Sequence, residues 1–249
     1  MRASDPTPLP AAPGAVLARG LSILLFRTGA LSLHVQGRGN VPRSGPVILA
    51  SNHTGIVDGP MLIGLSPRPV HTLIKAEMFR GFVGAALVRL GQIALRRDGG
   101  DRAAISAALD VLRAGRVLAI FPEGTRGAGD VSSVQRGVAY LALRSGAPVV
   151  PVGILGTAGR PPGSLPGWRR VLPGWRAGVE VRFGAPLHLS ATGAAGDTPS
   201  GPHPATRAAT DTAVGTVQTA MAATVAVAQQ QARHAHHSRR AHRSRRAGR

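Results

Sequence analysis

Short apolar runs of strand length alternate with longer stretches of helical periodicity along most of this chain, and this alternation most constrains its fold. Leu31, Leu33 and Val35 alternate as in a half-buried strand. Pro46-Val47-Ile48-Leu49-Ala50 is a continuous apolar run of the buried-strand type. Residues 70–74, 92–95, 117–121 and 148–154 read as further strands, and Val179, Val181 and Phe183 alternate again. Between them, residues 101–113 place Ile105, Ala108, Leu109 and Leu112 on one helical face, and 134–144 and the Ala-rich 206–231 also read as helices. Strand and helix in this order predict an α/β fold: a single domain with a central, largely parallel mixed sheet flanked by helices. A chain of 249 residues is long enough to bury the core such a sheet needs.

The ends and one interior stretch depart from the pattern. Residues 1–13 are rich in Pro and Ala and read as a mobile arm. In residues 14–30, Val16, Leu17, Leu21, Ile23, Leu24, Leu25 and Phe26 surround Arg19 and Arg27. That pattern suits an amphipathic helix lying in a membrane interface, or equally a helix packed on the domain. The segment between the last two strands holds both tryptophans of the chain, in Pro166-Gly167-Trp168-Arg169 and Pro173-Gly174-Trp175-Arg176. Trp beside Arg suits a water–lipid boundary, and a surface lid is the other reading. The domain is expected to span 31–231, and residues 232–249, with seven Arg, four His and no acid from 233 onward, to form a disordered tail.

Charge and composition remove several functions. The formal net charge of +19 calls for an anionic partner, a membrane surface or a nucleic acid. With aromatics at 3%, base-stacking platforms are poorly supplied, so nucleic acid is the less favoured partner. No cysteine is present, which excludes a thiol nucleophile and a disulfide framework. Lys75, the single lysine, lacks the Gly-rich approach of a P-loop, and no GxSxG elbow occurs. The N-terminal apolar region is interrupted by Arg19 and Arg27 and lacks a signal-peptide layout. Residues 212–232 are uncharged but mostly Ala, Thr, Gln and Val, a weak candidate for a membrane span.

Four stretches carry chemistry. Directly after the first buried-type strand comes Ser51-Asn52-His53-Thr54-Gly55-Ile56-Val57-Asp58. A tight turn or helix there would return Asp58 to one ring nitrogen of His53 and leave the other nitrogen free to take a proton. A capping or surface histidine would have the same sequence. Phe121-Pro122-Glu123-Gly124-Thr125-Arg126 follows another strand, where open α/β sheets bind ligands. Gly124 permits close backbone approach, Thr125 offers a hydroxyl and Arg126 suits a phosphate, while Glu123 orients an arginine or bonds a substrate hydroxyl. A polar turn with an internal Glu–Arg pair is the plainer reading. Gly91-Gln92-Ile93-Ala94-Leu95-Arg96-Arg97 delivers arginine at a strand end, and Val149-Val150-Pro151-Val152-Gly153-Ile154 is by itself a strand.

In this order the four motifs resemble the glycerolipid acyltransferase family, most of all its 1-acyl-sn-glycerol-3-phosphate acyltransferases, over about residues 31–190. The resemblance implies a glycerol-3-phosphate acyltransferase-like fold. It implies His53 as general base and Asp58 as its orienter, with direct attack of an acceptor hydroxyl on an acyl thioester. It places Asn52, Arg97, Glu123, Gly124, Thr125 and Arg126 at the acceptor and Val150, Pro151, Val152 and Gly153 on the acyl-donor side. Acyl-CoA or acyl-acyl-carrier-protein is the implied co-substrate, without metal or other cofactor. Phosphatidic acid is the expected product, from an enzyme bound peripherally to the cytoplasmic face of the cell membrane. Arg96 stands where the family commonly has Asp, Val134-Gln135-Arg136-Gly137 replaces a frequent Phe-Lys-x-Gly, and Gly127 replaces a frequent Ser. These departures put another lysophospholipid or amphipathic alcohol acceptor beside lysophosphatidic acid. A non-enzymatic basic membrane- or nucleic-acid-binding protein would need neither His53 nor Asp58.

Overall fold

The computed structural model describes residues 12–27, 32–96, 101–123, 131, 134–158, 178–196 and 201–247. Among them, seven strands form one sheet in the order β1-β7-β6-β2-β5-β3-β4. These are β1 (Ser32–Gln36), β2 (Val47–Ser51), β3 (Val70–Lys75), β4 (Ile93–Leu95), β5 (Val117–Ile120), β6 (Val149–Leu155) and β7 (Gly178–Phe183). Every neighbouring pair is parallel except β6 with β7, so β2 to β6 run one way and β1 and β7 the other. The expected largely parallel mixed sheet is therefore present.

The central strands read as unbroken apolar runs because both faces of the sheet are covered. Ile48, Ala50, Leu118, Ile120 and Val149 face a layer formed by α4 (Arg102–Arg113), α5 (Arg136–Ser145) and α6 (Arg207–Ala247). Their strand neighbours Val47, Leu49, Val117, Ala119, Val150 and Val152 point the other way, into a core shared with α1 (Ala12–Arg27) and α2 (Asp58–Leu65). Asp101 caps α4, its side chain accepting from the Ala104 amide. Helix α3 (Gly81–Arg89) and the small antiparallel pair β8 (His188–Leu189) and β9 (Ala195–Gly196) have no counterpart in the sequence reading.

Helix α1 resolves an open question with a divided answer. Its small residues Ala15, Ala18 and Ser22 are buried, and Arg19 Nε donates to the Ser66 carbonyl. On the same helix Val16, Leu17, Leu21 and Leu24 are exposed. The helix thus docks on the domain through small side chains and presents large apolar ones outward. Gly64 on α2 makes this close approach possible, since a Cβ there would lie 2.9 Å from the Ser22 Cβ.

The C-terminal segment corrects the sequence reading. The disordered tail expected from residue 232 is instead continuous with the preceding helix, and α6 runs 41 residues to Ala247. No glycine or proline interrupts residues 216–247, and Ala, Arg and Gln are good helix formers. The arm expected at 1–13 shares its last two residues with α1, its remainder lying outside the described residues, as do Trp168 and Trp175.

Gly64→Val should wedge α1 off α2 and cost about 1–3 kcal/mol. A lower melting temperature together with faster tryptic cleavage after Arg19 is the expected result.

Candidate active site

Strand β2 ends at Ser51, and the chain turns through residues 52–57 before α2 begins at Asp58. This turn brings the carboxylate back onto the imidazole: His53 Nδ1 lies 3.0 Å from Asp58 Oδ2. The same oxygen accepts the backbone N–H groups of Thr54 at 2.7 Å and Gly55 at 2.8 Å. Asp58 is fully buried, so its charge depends on these donors and on its place in the first turn of a helix, where negative charge is favoured. An ionised Asp58 is acceptor-only, which puts the ring proton on Nδ1 and the lone pair on Nε2. The His53 side chain retains 22% exposure.

The two strands beside β2 complete the setting. From β5, Phe121 stacks on His53 with ring centroids 4.3 Å apart and an interplanar angle of 29°. Glu123 Oε1 accepts from the His53 backbone N–H at 3.3 Å. From β6, the Ile154 amide and carbonyl pair with the Asn52 side chain at 2.7 and 2.9 Å. Just beyond β6, Thr157 Oγ1 lies 2.7 Å from Thr54 Oγ1.

An apolar cavity of about 890 Å³ opens beside His53 and Phe121. Its walls include Leu21 of α1, Ile63 of α2, Leu73 of β3, and Leu87 and Leu90 in and after α3. Ile56, Met78 and Val83 line it and are also exposed, and Phe82 beside them is 90% exposed. Lys75 and Arg96, at the ends of β3 and β4, add positive charge to the wall. Farther down, His71 is buried on β3 and its Nδ1 bonds the Gly91 carbonyl at 2.8 Å. Burial pushes its pKa down, keeping it neutral. Among the described residues no three His, Asp or Glu side chains gather to hold a metal ion.

Several expected roles change. Asn52, expected at the acceptor, is fully buried, and its amide clamps β2 to β6. Val150, Pro151, Val152 and Gly153, expected on the acyl-donor side, are core residues of a strand between β2 and β7 and do not line the cavity. Val150 and Val152 pack toward α1 and α2, while Gly153 lies against α6. The apolar space adjoins β3 and β4 instead. Glu123, expected to orient an arginine or bond a substrate hydroxyl, accepts the backbone N–H of His53. Arg97, Gly124, Thr125 and Arg126 lie outside the described residues. Sequence reasoning missed Phe121 as a contact of His53, although it heads the FPEGTR motif. Asn52→Ala should leave the Ile154 amide and carbonyl buried without their partners, costing about 1–3 kcal/mol, to be read by chemical denaturation.

A family model described as Acyltransferase matches residues 32–155. A 1-acyl-sn-glycerol-3-phosphate acyltransferase of Bacillus subtilis is 28% identical over 141 residues, which make up 56% of this chain and 69% of that protein. A lyso-ornithine lipid O-acyltransferase of Pseudomonas aeruginosa is 35% identical over 128 residues, 50% of this chain and 48% of that protein. The crystal structure of the 1-acyl-sn-glycerophosphate (LPA) acyltransferase PlsC from Thermotoga maritima shares the fold, with a TM-score of 0.58 and 24% identity over 70% of this chain and 68% of that one. The matched stretch runs from β1 to the end of β6 and takes in His53, Asp58 and the Phe121–Glu123 turn; residues 32–155 form a domain of the acyltransferase family.

Proposed function

We propose that this enzyme transfers a fatty acyl group from an acyl thioester to the free hydroxyl of 1-acyl-sn-glycerol-3-phosphate, giving phosphatidic acid and a free thiol. The observation that carries the proposal is the His53–Asp58 pair, its outer ring nitrogen unencumbered by Asp58, beside an apolar cavity large enough for lipid chains.

In this reading His53 Nε2 takes the proton of the acceptor hydroxyl as the oxygen attacks the thioester carbonyl carbon. The new C–O ester bond forms, the C–S bond breaks, and the imidazolium returns its proton to the leaving thiolate. Asp58 holds the ring by Nδ1 and stabilises the transient positive charge. Phe121 covers one face of the ring and limits its rotation. Acyl-CoA or acyl-acyl-carrier-protein supplies the thioester, and Arg97 and Arg126 are assigned to the acceptor phosphate with Gly124 and Thr125 beside them.

The enzyme is proposed to sit peripherally on the cytoplasmic face of an anionic membrane. Among the described residues no helix is long and apolar enough to cross a bilayer. Leu21 and Leu24 on α1, Ile56, Met78, and Phe82 and Val83 on α3 expose apolar surface on or near the segments that line the cavity. A lipid substrate entering from the bilayer would pass such a rim.

A second reading keeps the chemistry and changes the acceptor to another lysolipid. It is favoured by the likeness to the P. aeruginosa enzyme and by Arg96 on the cavity wall.

Release of free thiol from oleoyl-CoA with purified protein tests the activity. His53→Ala should lose ~10²–10⁴ of the rate. Asp58→Asn should lower kcat and leave KM for the acceptor nearly unchanged. Lysophosphatidic acid should outpace lysophosphatidylethanolamine and lysophosphatidylglycerol; the reverse order would transfer the assignment to the second reading. For the membrane contact, Leu24→Glu with Phe82→Glu should reduce flotation with anionic liposomes, and unchanged flotation would remove these helices from that role.

A further inference from the structure

We propose that Thr157, two residues beyond the stretch that the family model matches, is a positioning residue for the general base. The proposal rests on His53 acting as that base. Strand β6 ends at Leu155, and Gly156 turns the chain with a φ of 84°, a value that favours glycine. The turn carries Thr157 back against the His53 loop, where it is fully buried.

Two contacts join Thr157 to that loop, and they fall on consecutive residues. Its hydroxyl bonds the Thr54 hydroxyl at 2.7 Å. Its carbonyl oxygen lies so close to Gly55 that a Cβ at position 55 would overlap it. Thr54 and Gly55 are the two residues whose backbone N–H groups hold Asp58 Oδ2, at 2.7 and 2.8 Å. The same oxygen holds His53 Nδ1 at 3.0 Å. A displacement at Thr157 is thereby passed to the donors of Asp58 and from there to the ring.

Neither threonine is among the residues that line the cavity. The pair also differs in kind from ordinary packing. Two valines would fill the same volume, but only the hydroxyl pair fixes the distance and direction between the β6 exit and the loop. Because a misplacement of about 1 Å in a reacting group costs up to ~10²-fold in rate, the bond acts on kcat and leaves substrate affinity alone.

The test measures thiol release by the full chain from oleoyl-CoA, with the lysolipid that the wild type turns over fastest. Thr157→Val should lower kcat roughly 10- to 100-fold with KM for both substrates unchanged. Thr157→Ser, which keeps the hydroxyl, should restore most of the rate. Thr54→Val breaks the same bond from the other side, and the double variant should be no slower than the slower single one. Far-UV circular dichroism should match the wild type for every variant. A Thr157→Val enzyme with wild-type kcat, a serine variant no better than the valine one, or single losses that multiply in the double variant would each overturn the proposal. If His53→Ala is inactive while Thr157→Val is fully active, the positioning role alone falls. If His53→Ala keeps the wild-type rate, the base assignment falls and takes this role with it.

Discussion

One carboxylate oxygen organises the loop at the carboxyl end of β2. Asp58 Oδ2 collects the amides of Thr54 and Gly55 and the Nδ1 of His53, all within 3.0 Å. A buried carboxylate is costly unless its charge is met by donors, and here the donors come from the loop that carries His53. Satisfying the charge therefore closes the loop, and closing the loop orients the imidazole. Among the described residues the remaining oxygen, Oδ1, is buried without a hydrogen-bond partner. Because Asp58 also opens α2, the start of a helix, the turn and the imidazole form one unit.

That unit works only because of strand order. β2 lies between β5 and β6, all three parallel, so the loops leaving their carboxyl ends meet. Glu123, 70 residues from His53, reaches its amide, and Thr157, 103 residues from Thr54, reaches its hydroxyl. Asn52 ties the base of the loop to β6 below both. The outer face of α1 follows a different logic. Helix α1 buries Ala15, Ala18 and Ser22 and exposes Val16, Leu17, Leu21 and Leu24, the reverse of a soluble helix that hides its large side chains. Small residues let it approach α2 closely, and the outward apolar face borders the cavity that leads to His53.

Much of this was legible in the chain before any fold was known. The buried strands announced themselves as apolar runs, because a strand covered on both faces has no polar side to show. His53 and Asp58 were legible as a pair because both lie within a single turn after β2, and local spacing suffices to bring them together. Phe121 and Glu123 were placed at a strand end, but nothing in their spacing says that the ring covers His53 or that the carboxylate meets its backbone. The tail was misjudged as disordered, since its charge outweighed the helix propensity of an uninterrupted Ala- and Arg-rich run.

The sequence by itself determined the α/β layering, the positions of the motifs at strand ends and the family resemblance they carry, because periodicity and local spacing encode burial and short-range geometry. Tertiary structure alone decided which side chains face the cavity. Asn52 turned out to be a clamp, and Val150 to Gly153 became core and not cavity, because β6 sits between β2 and β7 while the cavity adjoins β3 and β4. Only the packing of α1 on α2 decided that one helix both docks and presents an apolar face. The physical reason is common to all three cases: periodicity records that a residue is buried or exposed, and the order of the strands sets what it is buried against.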